Sequence, residues 1–80
     1  MPYITQERRL KIAMLDSPET AGELNYAMTI LCKDYLDKCG TSYSAINEVI
    51  GALECCKLEF YRRAAIPYEE YKMRENGDVY

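Results

Sequence analysis

The stretch KLEFYRRAAIPYEEYKMRENGDVY, residues 57 to 80, gathers the side chains of this 80-residue chain best suited to chemistry. Tyr61, Arg62, Arg63, Tyr68 and Tyr71 combine phenol rings and guanidinium forks in one short region. Arginine pairs with phosphate through two parallel N–H donors, and a tyrosine ring stacks on a base. Such a set suits a nucleotide, a nucleic-acid strand or an acidic protein surface. Arg62 and Arg63 are the expected phosphate contacts, joined by Arg8 and Arg9 of a neighbouring protomer, with Tyr61 or Tyr68 stacking or hydrogen-bonding. The competing reading has the tyrosines packing a thin core with wet hydroxyls while the arginines pair with Glu59, Glu69 or Glu70.

Other chemistries have less to stand on. Cys32, Cys39, Cys55 and Cys56 would make a four-thiolate zinc set, but structural zinc ligands come in pairs two to four residues apart. Cys55 and Cys56 are adjacent and diverge by about 100° on a helix. The chain has no histidine, so a nucleophilic cysteine lacks its commonest base. Pairs such as Glu69 with Glu70, or Asp34 with Asp37, meet no convergent partner, and no phosphate loop, calcium loop or nucleophile elbow is present. No metal, no cofactor and no catalytic residue is expected, and the chain reads as a non-enzyme.

The elements that must position these side chains are helices. Pro18, Gly22, Gly40, Pro67 and Gly77 divide the chain into helix-length segments. The first, about Thr5 to Leu15, carries Leu10, Met14 and Leu15 as its apolar positions. The second, Ala21 to Cys39, opens on Thr20 with Glu23 three residues on, a capping box, and ends at Gly40. Its stripe is Leu24, Met28, Leu31 and Tyr35, widened by Ala27 and Cys39. Thr41, Ser42 and Ser44 compete to cap the longest helix, Tyr43 to Ala64, whose buried face is Ile46, Val49, Ile50, Leu53, Cys56, Phe60 and Ala64. Pro67 ends that helix or turns it into a short final segment, YEEYKMRE, and Asn76–Gly77 closes it before a short tail. Alternating apolar runs are missing, so the expected fold is all-α: one helical domain over residues 1–80, a compact bundle of three principal helices with a short fourth.

With 10 basic against 13 acidic residues the formal charge is −3, which disfavours a general DNA or anionic-membrane binder. No segment approaches the roughly 20 apolar residues of a spanning helix, so a soluble, cytoplasmic protein with reduced thiols is expected. A chain of this size buries only about 60–65% of its unfolded surface, which favours self-association; a homo-oligomer is the expected state.

The segments GELNYAMT (22–29), SYSAINEVIGALECCKLEFYRR (42–63) and PYEEYK through ENGDVY (67–80) resemble a family of small uncharacterised proteins of bacterial and bacteriophage genomes. The resemblance implies a setting and no specific activity. Small proteins of that setting include inhibitors of host machinery and oligomeric sponges for nucleotide signals. The leading expectation is a non-enzymatic binding protein that sequesters an anionic, nucleotide-like ligand. The alternative is a protein–protein interaction module that masks or scaffolds a host protein with an exposed helix stripe around Tyr26 and Ile30.

Overall fold

Thr5 opens the first helix: its Oγ1 accepts from the Arg8 backbone N–H at 3.2 Å, leaving Gln6–Ala13 as α1. The computed structural model describes residues 4–14 and 16–80, so the expectation for Leu15 lies outside the described residues. Thr20 caps α2, Ala21–Cys39, by accepting from the Glu23 backbone N–H at 3.1 Å. Gly40 closes that helix with φ +84°, donating its N–H to the Leu36 carbonyl at 2.8 Å. A residue with a Cβ is strained in that conformation. Of the three candidate caps for α3, Tyr43–Phe60, Ser42 supplies the oxygen, accepting from the Ala45 N–H at 3.0 Å.

The chain does not stop or turn at Pro67. A single π-helical turn, Tyr61–Ala65, joins α3 directly to α4, Ile66–Asn76. The Ile66 N–H donates to the Tyr61 carbonyl, five residues back. In an unbroken α-helix the residue-67 amide would bond the Arg63 carbonyl; proline has no N–H, and its ring collides there. One widened turn clears the collision without ending the helix, and Pro67 then falls in the first turn of α4, where its missing donor costs least. Gly77, again at φ +84°, terminates α4, and the Tyr80 N–H turns back onto Asp78 Oδ1 at 2.9 Å.

The fold is all-α, with no strand among the described residues. The chain divides into two units, one ending at Ile46 and one running Asn47–Tyr80. In the first, α1 packs on α2, and Ile4, Ile12 and Ala45 are the buried apolar residues. Two expectations are corrected here. On α1, Leu10 and Met14 are exposed and Ile12 is the residue turned inward. On α2, Leu24, Met28, Leu31 and Tyr35 are exposed, as is Cys39, whereas Tyr26 and Ile30, expected on the outer stripe, are half-buried together with Ala27. The reason lies at Glu23, which is buried against α1. Residues three, four and seven beyond it share its face, so the polar anchor sets the rotation of α2. Gly22 fits beside it, because even an added Cβ would sit 3.8 Å from Ile4.

The second unit consists of the helix 47–76 and its tail. Only Val49 and Ala65 are even half-buried. The expected buried face of the long helix is thereby corrected: Ile46, Ile50, Leu53, Cys56, Phe60 and Ala64 are exposed.

Candidate functional site

The π turn places Tyr61, Arg62 and Arg63 on one widened loop of backbone. Glu59 lies one turn before both arginines. Its Oε2 accepts from Arg62 Nη2 at 2.6 Å, and its Oε1 accepts from Arg63 Nε at 2.9 Å. One carboxylate thus holds two guanidinium groups side by side, and Arg62, followed by Arg63, lowers the Glu59 pKa below its ordinary value. Both arginines stay largely in solvent, so the three-charge group presents a net single positive charge.

Tyr61 points along the helix and donates its hydroxyl to Glu69 Oε1 at 3.1 Å. That bond exists because of the π turn. Residues eight apart on an α-helix sit about 80° out of line, and one extra residue in a turn removes most of that offset. Donation to the carboxylate raises the Tyr61 pKa, as Glu75 does for Tyr71 by accepting its hydroxyl at 2.6 Å.

Tyr68 belongs to a different grouping. Lys72 Nζ lies 5.8 Å from the Tyr68 ring centre and 5.7 Å from that of Tyr71, within cation–π range of both. Tyr68, Lys72, Met73 and Tyr80 line an open cleft of about 360 Å³ between α4 and the turned-back tail. Lys72 was not among the expected residues, although tyrosine four residues before lysine on a helix is a readable signal.

Arg8 and Arg9 belong to the first unit, and Arg8 has an internal role. Its guanidinium forms a hydrogen-bonded ion pair with Glu23, donates to the Ser17 carbonyl at 3.4 Å and lies 3.6 Å from Asp16. Glu23 also accepts from the Glu19 N–H at 3.0 Å. The hydrogen bond from Arg8, then that from Glu19, lowers its pKa. The capping-box glutamate therefore reaches one residue further back than the usual geometry and clasps α1, the loop and α2 together. Arg9, half-buried on α1, is likewise engaged.

Cys39, Cys55 and Cys56 are exposed and Cys32 is half-buried. Among the described residues, no three cysteine, aspartate or glutamate side chains converge as a metal set, and no helix is long and apolar enough to cross a membrane.

A further surface feature lies on the second unit's helix. Ile50, Leu53, Phe60, Tyr61 and Tyr68 lie on one side of the second unit's helix at α-helical spacing carried across the π turn, and all are exposed. What the fold and this surface define is a small all-α protein with an uncovered apolar and aromatic helix face. The chain belongs to the family described as a domain of unknown function, DUF6899, whose model matches residues 1–79. No curated protein and no solved structure matches the chain.

Proposed function

We propose that this protein is a non-enzymatic protein-interaction module, acting by docking the helix face of Ile50, Leu53, Phe60, Tyr61 and Tyr68 on a protein surface. The observation that carries it is the continuous exposure of that face. Contiguous apolar surface rimmed by charge marks interaction sites on soluble proteins, and aromatic residues dominate the energetics of such contacts. Lys57, four residues from both Leu53 and Tyr61, lies within the face and pairs with Glu54 at its edge, and the Glu59–Arg62–Arg63 group borders it. The stripe differs from the one read around Tyr26 and Ile30, which α1 partly covers. A masking protein of this size accords with the phage-type setting that the sequence resemblance implies.

The test is a photo-crosslinking residue introduced at position 53 or 60 of the full chain, with position 55 on the opposite face as control. Crosslinks from 53 and 60 but not from 55 are expected. Equal crosslinking from both faces, or none from either, overturns the reading.

A second reading is favoured by Glu59. By holding Arg62 and Arg63 on its two oxygens with both side chains in solvent, it preorganises a pair of guanidinium groups that an anionic, nucleotide-like ligand would take by displacing the carboxylate. Glu59→Gln would then raise affinity for a phosphate-bearing nucleotide in calorimetry, and Arg62→Ala with Arg63→Ala would abolish it. A folded double variant that binds as tightly as wild type overturns this second reading.

A further inference from the structure

We infer that the occupant of the apolar helix face is a second copy of this chain, laid antiparallel so that two 47–76 helices form a two-fold symmetric pair. This inference rests on the interaction-module reading and names its partner.

Area supports a second copy. Ile50, Leu53, Phe60, Tyr61 and Tyr68 are each 42–70% exposed. At about 200 Å² for a large side chain, they offer roughly 600 Å² per copy. Two copies together reach about 1,200 Å², the lower bound of stable protein interfaces. An isologous pair reaches that total with one patch used twice. The face is also narrow, an arc of about 100° on a long helix, which is the shape another helix covers.

Charge gives the direction. From Asn47 to Phe60 the helix carries Glu48, Glu54 and Glu59 against Lys57, a net −2. From Tyr61 to Asn76 it carries Arg62, Arg63, Lys72 and Arg74 against Glu69, Glu70 and Glu75, a net +1. A parallel pair sets like halves together, whereas an antiparallel pair sets the acidic half of each copy beside the basic half of the other. Complementary flanks of this kind fix the orientation of paired helices. Opposed helix dipoles favour the same arrangement.

The π turn has a part in this surface. It adds about one residue, roughly 100°, to the helical phase. Tyr68 stays near the line of Leu53 and Phe60, while Pro67 and Tyr71 swing off it. Beyond Phe60 the face therefore continues through Tyr68 and Lys72, with Pro67 and Tyr71 turned off it.

The experiment is sedimentation of the full chain over a concentration series, with helicity followed by circular dichroism. Wild type is expected to form a dimer, and Leu53→Glu with Phe60→Glu to weaken it by more than about 100-fold. Phe60→Ala, which keeps the helix, should weaken it by about tenfold or more. Arg62→Glu with Arg63→Glu should also weaken it, and adding Glu48→Arg with Glu54→Arg should restore it, because only an antiparallel pair brings the exchanged halves together. A wild-type monomer at every concentration, or a dimer indifferent to positions 53 and 60, overturns the inference. Failure of the fourfold exchange to restore association overturns the antiparallel direction. Crosslinks from position 60 to a different protein, with the chain itself monomeric, would sink the second copy and leave the interaction-module reading standing.

Discussion

Pro67→Ala tests the physical account of the π turn. If the proline ring and its missing N–H cause the widened turn, alanine removes both, and the helix should close into regular α geometry from Tyr43 to Asn76. The full penalty of proline in a helix interior is about 3 kcal/mol, but the π turn and the first-turn position already remove the clash. What remains to be regained is one backbone hydrogen bond, from residue 67 to the Arg63 carbonyl, about 1 kcal/mol. That corresponds to roughly fivefold greater amide protection around residues 66–71. The register change is the sharper signal. Closing the turn rotates α4 by about 100° relative to α3, which carries Glu69 away from Tyr61 and breaks the 3.1 Å hydroxyl bond. The Tyr61 phenol, now held above its ordinary pKa by Glu69, should titrate earlier in alkali, measured by phenolate absorbance or by resonance shifts of a labelled Tyr61. A variant in which Tyr61 titrates as in wild type and the 66–71 amides gain no protection would show that proline is not the cause.

Other outcomes follow from the first unit and from single backbone positions. Ile12→Ala removes a 3% exposed side chain from between α1 and α2 and should cost about 2–4 kcal/mol in denaturant unfolding, a large share of the roughly 4–12 kcal/mol a chain this size commands. Gly40→Ala forces a Cβ into φ +84° and should cost about 1–3 kcal/mol in the same assay; a neutral result would mean the turn had rearranged. Gly51 lies mid-helix with open space where a Cβ would go, so Gly51→Ala should raise helicity and add about 1 kcal/mol. Glu23 has a lowered pKa in the folded chain. Its contribution is therefore complete above the unfolded carboxylate value and is lost as pH falls through the lowered folded value. Amide exchange of α1 should accelerate through that acid range, and Glu23→Gln should remove the dependence.

The start and end of α2 and the start of α3 are legible in the sequence because they rest on local chemistry. Thr20 with Glu23, Gly40, and a serine ahead of Ala45 each act on backbone within four residues. Helix rotation was not legible, because α2 has apolar residues on both sides and its orientation is chosen by a buried glutamate that a hydrophobic pattern scores as outward. The clasp itself joins residues 15 apart, a pairing that no periodicity contains. Pro67 reads as a helix stop by propensity, and only the backbone shows that one widened turn absorbs it. At the candidate site, Tyr61, Arg62 and Arg63 were found by residue type. The pairing of Arg62 and Arg63 with Glu59 is legible, since an acid three or four residues away is within an arginine's reach; the bond from Tyr61 to Glu69 is not, because Glu69 reads as an arginine partner and the π turn alone brings it to the phenol.

The bare helix of the second unit bears on how the protein melts. A helix this exposed unravels from its ends through many partly frayed forms, since each added turn is only marginally favourable. Heating a lone copy should therefore give a broad, shallow loss of helicity over residues 47–76, with little dependence on protein concentration. Once that surface is covered, the same residues would lose structure in one concerted step whose midpoint climbs with concentration. The steepness of the melting curve becomes a readout of assembly, available before any partner is identified.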